Sequence, residues 1–201
     1  MSVKLVIGLL GGMGSGKSRV AAEFAKHGAI VVSADELGHE ALRQPAIRDA
    51  LVRRWGREVL GECGELDRGR VGRIVFADGV ERKALESVVH PYIGRRIRDE
   101  IEAARADPTV RFVVLDAAIM LESGWSEVCD QLIYVHAPRA VRLRRLAQQR
   151  GWSAKEVDAR ERAQVSLTEK ASRAGSAIDN SDSPESLSRQ VADLLRQWGI
   201  D

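Results

Sequence analysis

The length and charge of the chain limit the kinds of protein it can be. With 201 residues, it suits one α/β domain with insertions and can bury most of its surface without disulfides. Its 31 lysines and arginines nearly cancel 29 aspartates and glutamates, so the overall charge does not indicate a protein that binds nucleic acid as a whole.

Cysteine usage and hydropathy narrow the class further. Cys63 and Cys129 belong to no Cys-x-x-Cys or Cys/His cluster, so there is no signal for a disulfide or a cysteine-bound metal. The sequence shows neither a charged-then-apolar leader nor an apolar run of about 18 residues. We therefore expect a soluble cytoplasmic protein. We further expect a monomer without nucleic-acid or membrane partners.

Residues 11–18 read GGMGSGKS and fit the phosphate-loop (P-loop) pattern of a glycine, four free positions and Gly-Lys-Ser. The apolar run at 5–10 predicts a buried parallel strand before the loop, and residues 19–27 predict a helix after it. Glycines let the backbone wrap around an anion, so that successive N–H groups face its oxygens. Lys17 would reach the β- and γ-phosphates, and the Ser18 hydroxyl would bind Mg²⁺. The alternative is a glycine-rich turn that binds nothing, and the strand-loop-helix context argues against it.

Four further apolar runs predict strands at 29–32, 112–116, 132–135 and 177–180. The first of these leads into Asp35 at its carboxyl end, where open α/β sheets place ligands. Asp116 ends the next run and is the acidic residue expected to hold Mg²⁺ beside a P-loop, directly or through water. A carboxylate that caps the following turn is the alternative for Asp116, and the presence of the P-loop favours the metal.

Two long segments lie between or after these strands. Residues 36–106 show helical periodicity throughout, and Pro91 predicts the start of a new helix. Residues 139–173 carry ten lysines and arginines against four acids and predict two helices separated by Gly151. Such a run is usually a solvated helix face, but beside a nucleotide site it can also be a mobile basic flap that stabilises transition-state charge.

A small-molecule kinase is the class that these features favour. Asn180 is the one asparagine in the sequence, so the Asn-Lys-x-Asp motif of GTPases is excluded, and no LSGGQ-like stretch suggests a transporter ATPase. We predict a three-layer α/β/α P-loop NTPase fold with a five-stranded parallel sheet, a helical substrate-binding insertion and a helical lid. The predicted scheme is a single domain at 1–201, with its core at 1–35, 107–138 and 174–201, the acceptor-binding insertion at 36–106 and the lid at 139–173.

The chain resembles the dephospho-coenzyme A kinases over nearly its whole length. Five stretches carry the likeness: LLGGMGSGKS at 9–18, Ser33-Ala34-Asp35, Val89–Ile93, Asp116–Glu122 and Arg142–Asn180. The resemblance implies phosphorylation of the ribose 3′-hydroxyl of dephospho-CoA by ATP, with Mg²⁺, to give coenzyme A and ADP. The small-molecule partners would then be ATP and dephospho-CoA.

The resemblance also implies roles for single residues. Asp35 would accept the hydroxyl proton, with a helix N-cap as its alternative role. Arg145 would act with Lys17 on the transferring phosphoryl group, with a solvated arginine as its alternative. His90 and Tyr92 would bind the acceptor. The alternative for His90 is a purely structural role in the helical insertion that forms one wall of the substrate cleft. The predicted ATP-binding residues are Gly12, Met13, Gly14, Ser15, Gly16, Lys17, Ser18, Arg19 and Asn180.

Several positions depart from the family pattern and bear on acceptor contacts and lid closure. They include Leu10 in place of threonine, Arg19 in place of threonine, Ser33 in place of aspartate, Ala118 in place of proline, Gln149 in place of arginine and Gly175 in place of aspartate. None removes the P-loop, Asp35, Asp116 or Arg145. Two other functions stay open: a kinase for another small hydroxyl acceptor, such as a nucleoside, nucleotide or shikimate-like compound, and an ATP-binding regulatory protein that has lost catalysis.

Overall fold

The computed structural model of the protein describes residues 4–200. Its strands are β1 (Val6–Gly11), β2 (Ala29–Ser33), β3 (Phe112–Asp116), β4 (Gln131–His136) and β5 (Ser176–Asp179). Its helices are α1 (Lys17–Ala25), α2 (Ala34–Ala41), α3 (Pro45–Trp55), α4 (Arg68–Ala77), α5 (Gly79–Ala106), α6 (Arg139–Arg150), α7 (Ala154–Glu161), α8 (Leu167–Arg173) and α9 (Pro184–Gln197).

The five strands form one parallel sheet in the order β2-β3-β1-β4-β5. Asp116 at the end of β3 lies opposite Leu9 of β1 and Ser33 of β2. β1 is the central strand, with β2 and β3 on one side of it and β4 and β5 on the other. The order in which strands join the sheet therefore reverses direction between β3 and β4. Such a reversal places the ligand crevice beyond the carboxyl ends of the central strands. The predicted five-stranded parallel sheet is confirmed.

Both faces of the sheet are covered, because residues on both faces of its strands are buried. Ile7 and Leu9 point to one face, where they join a core with α1 and α9, and Phe24 meets Phe112 edge-to-face with ring centroids 6.0 Å apart. Val6, next to them in β1, alternates to the opposite face and is fully buried as well. α8 contacts β1 and β4. The predicted three-layer α/β/α arrangement is therefore confirmed.

The chain divides into two compact units, residues 4–33 with 100–200 and Ala34–Asp99. The first contains the sheet, and the second contains α2, α3, α4 and most of α5. The predicted scheme of core, insertion and lid stays a prediction. Within residues 4–200, no helix combines the length and the apolar character that crossing a membrane requires.

Two predictions about helix boundaries were wrong. Pro91 lies inside the 28-residue helix α5 and does not start a new one. The helix continues because Val89, Ile93 and Ile97 are buried on both sides of the proline, and this burial offsets the loss of one N–H donor. The basic segment 139–173 forms three helices, because Ser166 caps α8 by accepting a hydrogen bond from the Glu169 N–H and so separates α8 from α7.

Candidate nucleotide-binding site

The P-loop connects β1 to α1 and adopts the conformation its glycines allow. Gly14 has a φ of 72° and Gly16 a φ of 87°, values in the left-handed region that favours glycine. A Cβ atom on Gly16 would lie 2.2 Å from Nδ2 of Asn180, so a side chain there would also collide. Lys17 is the first residue of α1, and Arg19, two positions later, is exposed on the same helix. The glycine pattern therefore has a steric basis in this loop.

Side chains from α6 and from the residue after β5 hold the backbone of the P-loop. Arg145 donates from Nη1 to the carbonyl of Ser15 at 3.1 Å and, more weakly, to that of Gly14 at 3.4 Å. Asn180 donates from Nδ2 to the Ser15 carbonyl at 2.8 Å, and the Asn180 carbonyl accepts from Arg145 Nη2 at 2.7 Å. Arg145 and Asn180 thus lie at the predicted ATP site, where they contact P-loop carbonyls.

Partial burial and the charges of Arg19 and Arg144 lower the pKa of the Arg145 guanidinium. An arginine stays protonated in proteins even so, which means that Arg145 keeps its positive charge beside the loop. Its predicted role in stabilising the transferring phosphoryl group stays a prediction.

Ser18 and Asp116 form the predicted metal pair. The Ser18 hydroxyl in the first turn of α1 donates to Oδ2 of Asp116 at 2.7 Å. β3 brings the carboxylate there, since its last residue lies in register with β1, the strand that leads into the loop. A hydroxyl and a carboxylate oxygen are ligands that suit Mg²⁺, which in phosphate sites takes few protein ligands and completes its octahedron with water and phosphate oxygens. The residues therefore fit a magnesium ion.

The predicted acceptor residues belong to the unit Ala34–Asp99. Asp35 is the second residue of α2, where its exposed carboxylate also suits the positive end of the helix dipole. His90 is half-buried on α5, and burial lowers its pKa, although the charge of Glu86 opposes the shift. At neutral pH the His90 imidazole is therefore uncharged.

Tyr92 lies on the same helix as His90 and takes part in a hydrogen-bond network with Glu40 of α2. Its hydroxyl donates to Glu40 Oε1, and Arg96 Nε donates to the same oxygen at 3.0 Å. Hydrogen bonds from Tyr92 and Arg96 lower the pKa of Glu40, while burial and the Glu40 carboxylate raise the pKa of Tyr92. The Arg95 guanidinium lies 5.6 Å from the centroid of the Tyr92 ring. Tyr92 is therefore a fixed, neutral hydroxyl.

Sequence reasoning missed two buried cations of the basic segment. Arg142 is 4% exposed, donates to the Met13 carbonyl at 3.2 Å and forms an ion pair with Glu161 of α7. Lys170 is 1% exposed and donates to Gln164 Oε1 at 3.0 Å, with Glu122 Oε1 at 3.5 Å. Nothing in the local sequence distinguishes these two residues from their exposed basic neighbours. The general prediction of a solvated face is wrong at these two positions.

Comparison with known proteins tests the resemblance inferred from the five sequence stretches. The family model for dephospho-CoA kinase matches residues 5–185. The dephospho-CoA kinase of Bacillus licheniformis is 41% identical over 197 residues, which cover 96% of each protein.

Two solved structures agree with this result. The crystal structure of TT1252 from Thermus thermophilus is 35% identical, with a TM-score of 0.81 over 98% of each chain. The dephospho-CoA kinase from Campylobacter jejuni has a TM-score of 0.71 over 96% of each chain and, at 23% identity, shows the likeness of fold.

The resemblance inferred from the five sequence stretches is confirmed by a match over almost the whole chain. The same match does not favour a kinase for an unrelated small acceptor or a regulatory protein without catalysis. The chain belongs to the dephospho-CoA kinase family.

Proposed function

We propose that the chain transfers the γ-phosphoryl group of ATP to the ribose 3′-hydroxyl of dephospho-CoA, giving coenzyme A and ADP. Membership of the dephospho-CoA kinase family supports the reaction. The observation that carries the chemistry is the Ser18–Asp116 pair, 2.7 Å between oxygens, beside a P-loop that begins at the end of the central strand. We place the reaction in the cytoplasm and assign it to the monomer.

The transfer forms one phosphorus–oxygen bond and breaks another. The acceptor hydroxyl attacks the γ-phosphorus, the bond to the β–γ bridging oxygen breaks, and ADP leaves with the electron pair. The hydroxyl proton passes to the Asp35 carboxylate. Such transfers have loose transition states, so positioning and charge stabilisation supply most of the catalysis.

The P-loop holds the donor. The N–H groups of Gly14, Ser15 and Gly16, together with the Lys17 ammonium, would bind the phosphate oxygens; the Ser15 N–H, which donates to the Gly12 carbonyl at 3.1 Å, would share its hydrogen between the two acceptors. Ser18 and Asp116 would hold Mg²⁺, which neutralises charge on the β- and γ-phosphates when bound.

Two further groups complete the proposed catalytic set. Arg145 is a fixed cation at the P-loop and would stabilise charge on the transferring group. Asp35 follows the last residue of β2 by two positions and is exposed at the start of α2, where a carboxylate can accept a proton from an acceptor hydroxyl.

Acceptor choice tests the reaction. ADP release is measured with Mg·ATP and dephospho-CoA, adenosine, AMP or shikimate, and the product is identified by mass. We expect turnover with dephospho-CoA alone, with a mass gain of one phosphoryl group. Turnover with another acceptor instead would refute the proposed substrate, and ATP binding without turnover on any acceptor would favour the regulatory protein.

The role of Asp35 has a matched control in its neighbour Glu36, the other acid in the first turn of α2. Asp35→Asn is expected to lower kcat by two to four orders of magnitude, the usual contribution of a general base, without weakening ATP binding. Glu36→Gln should change kcat less than threefold. Loss of ATP binding in Asp35→Asn would mean that Asp35 is structural.

A further inference from the structure

The carbonyl groups of the P-loop are held from outside by three side chains. The Met13 carbonyl accepts from Arg142 at 3.2 Å, the Gly14 and Ser15 carbonyls accept from Arg145, and the Ser15 and Gly16 carbonyls accept from Asn180. In a trans peptide unit, the C=O of one residue and the N–H of the next point in opposite directions. A side chain that fixes a carbonyl therefore also fixes the direction of the following N–H group.

Arg142 controls the first of these peptide units. By holding the Met13 carbonyl, it sets the direction of the Gly14 N–H, one of the amides proposed to bind the donor phosphates. Its guanidinium also packs against the loop, since a Cβ atom on Gly12 would lie 2.8 Å from Nη1 and 3.1 Å from Cζ. Gly12 is thus the residue that lets the arginine approach so closely.

Burial makes the position of Arg142 depend on Glu161. The Arg142 side chain is 5% exposed, and a guanidinium removed from water needs an opposing charge and hydrogen-bond acceptors. Glu161, the last residue of α7, supplies the charge, and Met13 supplies an acceptor. The orientation of one P-loop amide is therefore tied to a residue of the predicted lid.

We propose that Arg142 is a positioning residue that aims the Gly14 amide at the donor phosphates, and that Glu161 holds it in place from α7. This inference rests on the proposed function, because it assigns the phosphates of ATP to this loop. The same ion pair would connect the predicted lid to the donor site, because movement of α7 away from α6 would remove the counter-charge of Arg142.

The test compares two α6 arginines that both pair with α7. Arg142→Met removes the guanidinium that reaches the P-loop. Arg139→Met removes an exposed ion pair to Asp158, at 2.6 Å, which involves no P-loop atom. Binding of ADP is measured by calorimetry, since it needs no turnover, and KM for ATP and for dephospho-CoA is measured alongside.

Arg142→Met is expected to weaken ADP binding about tenfold and to raise KM for ATP by a similar factor, with KM for dephospho-CoA changed less than twofold. Arg139→Met should change each value less than twofold. Arg142→Lys should recover part of the affinity, because it keeps the charge opposite Glu161. Glu161→Gln, which retains an acceptor, should weaken ADP binding two- to fivefold and provides a second test if Arg142→Met does not fold.

ADP affinity in Arg142→Met equal to wild type would overturn the inference even if the variant were less stable. A wild-type protein that phosphorylates no dephospho-CoA would instead refute the proposed function. The two failures are distinguishable, because ADP affinity does not depend on the acceptor.

Discussion

The contact between Ser18 and Asp116 joins two residues 98 positions apart in the sequence and defines the proposed metal site. Ser18→Ala and Asp116→Asn should each lower kcat by about 100-fold or more, because the developing phosphate charge would lose its bound cation. The double variant should lose much less than the product of the two effects, since the residues act as one unit.

Ser18→Thr is the control for these variants, because it retains the hydroxyl and threonine also fits the P-loop pattern. It should keep kcat within a few-fold of wild type. The measurement is kcat as a function of free Mg²⁺ at saturating ATP. Equal Mg²⁺ dependence in Asp116→Asn and wild type would refute the metal role.

The half-buried His90 imidazole predicts a pH dependence of stability. Burial lowers its pKa below the unfolded value of about 6.5, so the unfolded chain binds more protons than the folded chain as the pH falls through this range. The stability that His90 contributes is present above about pH 6.5 and is lost as the pH falls below it.

His90→Gln should therefore lose less stability than wild type between pH 7.5 and pH 5.5. The midpoint of thermal unfolding of both proteins at the two pH values measures this difference. Equal losses in the two proteins would show that His90 titrates with its ordinary pKa.

At the residue scale, the sequence predicts the site residues that belong to a known motif or end a recognisable strand. Gly16, Lys17 and Ser18 follow from a fixed pattern, and Asp116 follows from an apolar strand that ends in a carboxylate. Arg142 could not be predicted, because its partners Met13 and Glu161 lie 129 and 19 positions away and only the packing of α6 brings the three together.

At the scale of single elements, the strands were predictable because both faces of a parallel sheet are buried and its strands are continuous apolar runs. The points at which helices continue or end were not predictable, because the burial of side chains against other elements outweighed local sequence signals such as proline. α5 runs through Pro91, whereas the segment after α7 breaks at the cap residue Ser166.

Substitutions of two prolines test how much free energy the proline inside α5 costs. Pro91 lies inside α5, where it removes a helical hydrogen bond, whereas Pro45 is the first residue of α3, where its N–H would be unpaired in any case. Both are exposed, so neither ring contributes much packing. Pro91→Ala should raise the free energy of unfolding by about 1 kcal/mol or more, because a proline in a helix interior costs up to about 3 kcal/mol.

Pro45→Ala should lower the free energy of unfolding by a few tenths to about 1 kcal/mol, because the unfolded chain gains conformational freedom. Denaturant unfolding of both variants gives the two values. A loss of stability in Pro91→Ala as well would mean that the proline is accommodated in α5 without cost.

The contacts of Lys170 with Glu122, which we call the anchor of α8, give a second prediction at this scale. Lys170 is fully buried, and Glu122 faces both its ammonium and the Val165 N–H, the latter at 2.8 Å. Glu122→Ala leaves a buried ammonium without its counter-charge and should destabilise the fold by about 3 kcal/mol. Lys170→Met should cost less, because it removes the buried charge and leaves the Glu122 carboxylate partly exposed to water.

Glu122→Gln separates the charge from the hydrogen bond, since an amide oxygen can still accept from Val165. It should lie between wild type and Glu122→Ala in unfolding free energy. A larger loss in Lys170→Met than in Glu122→Ala would contradict this account of the anchor.

At the scale of the whole molecule, the sheet order explains how distant sequence segments form one nucleotide site. β1, β3 and β5 run parallel, so the P-loop, Asp116 and Asn180 all lie at or directly after carboxyl ends at the same edge of the sheet. The sequence predicts the parallel sheet and its strand ends, but the contacts of Arg145 and Asn180 with the loop depend on packing between elements that no local pattern encodes.

Ligand binding should stabilise the whole molecule in a way that separates donor from acceptor. A ligand at 100 times its Kd adds about 2.7 kcal/mol to the free energy of unfolding, and in a chain of this size 1 kcal/mol raises Tm by about 2–4 °C. Mg·ATP should therefore raise Tm by about 5–10 °C at that excess.

Lys17→Ala should lose most of the rise with Mg·ATP, because the ammonium that binds the β- and γ-phosphates is gone. Dephospho-CoA should stabilise Lys17→Ala as much as wild type, since no acceptor contact is assigned to Lys17. If the variant lost both responses, Lys17 would be required for the fold of the site as a whole. If it lost neither response, the phosphates of ATP would bind elsewhere. A donor held by the P-loop should bind more weakly when Lys17, the lysine of that loop, is removed.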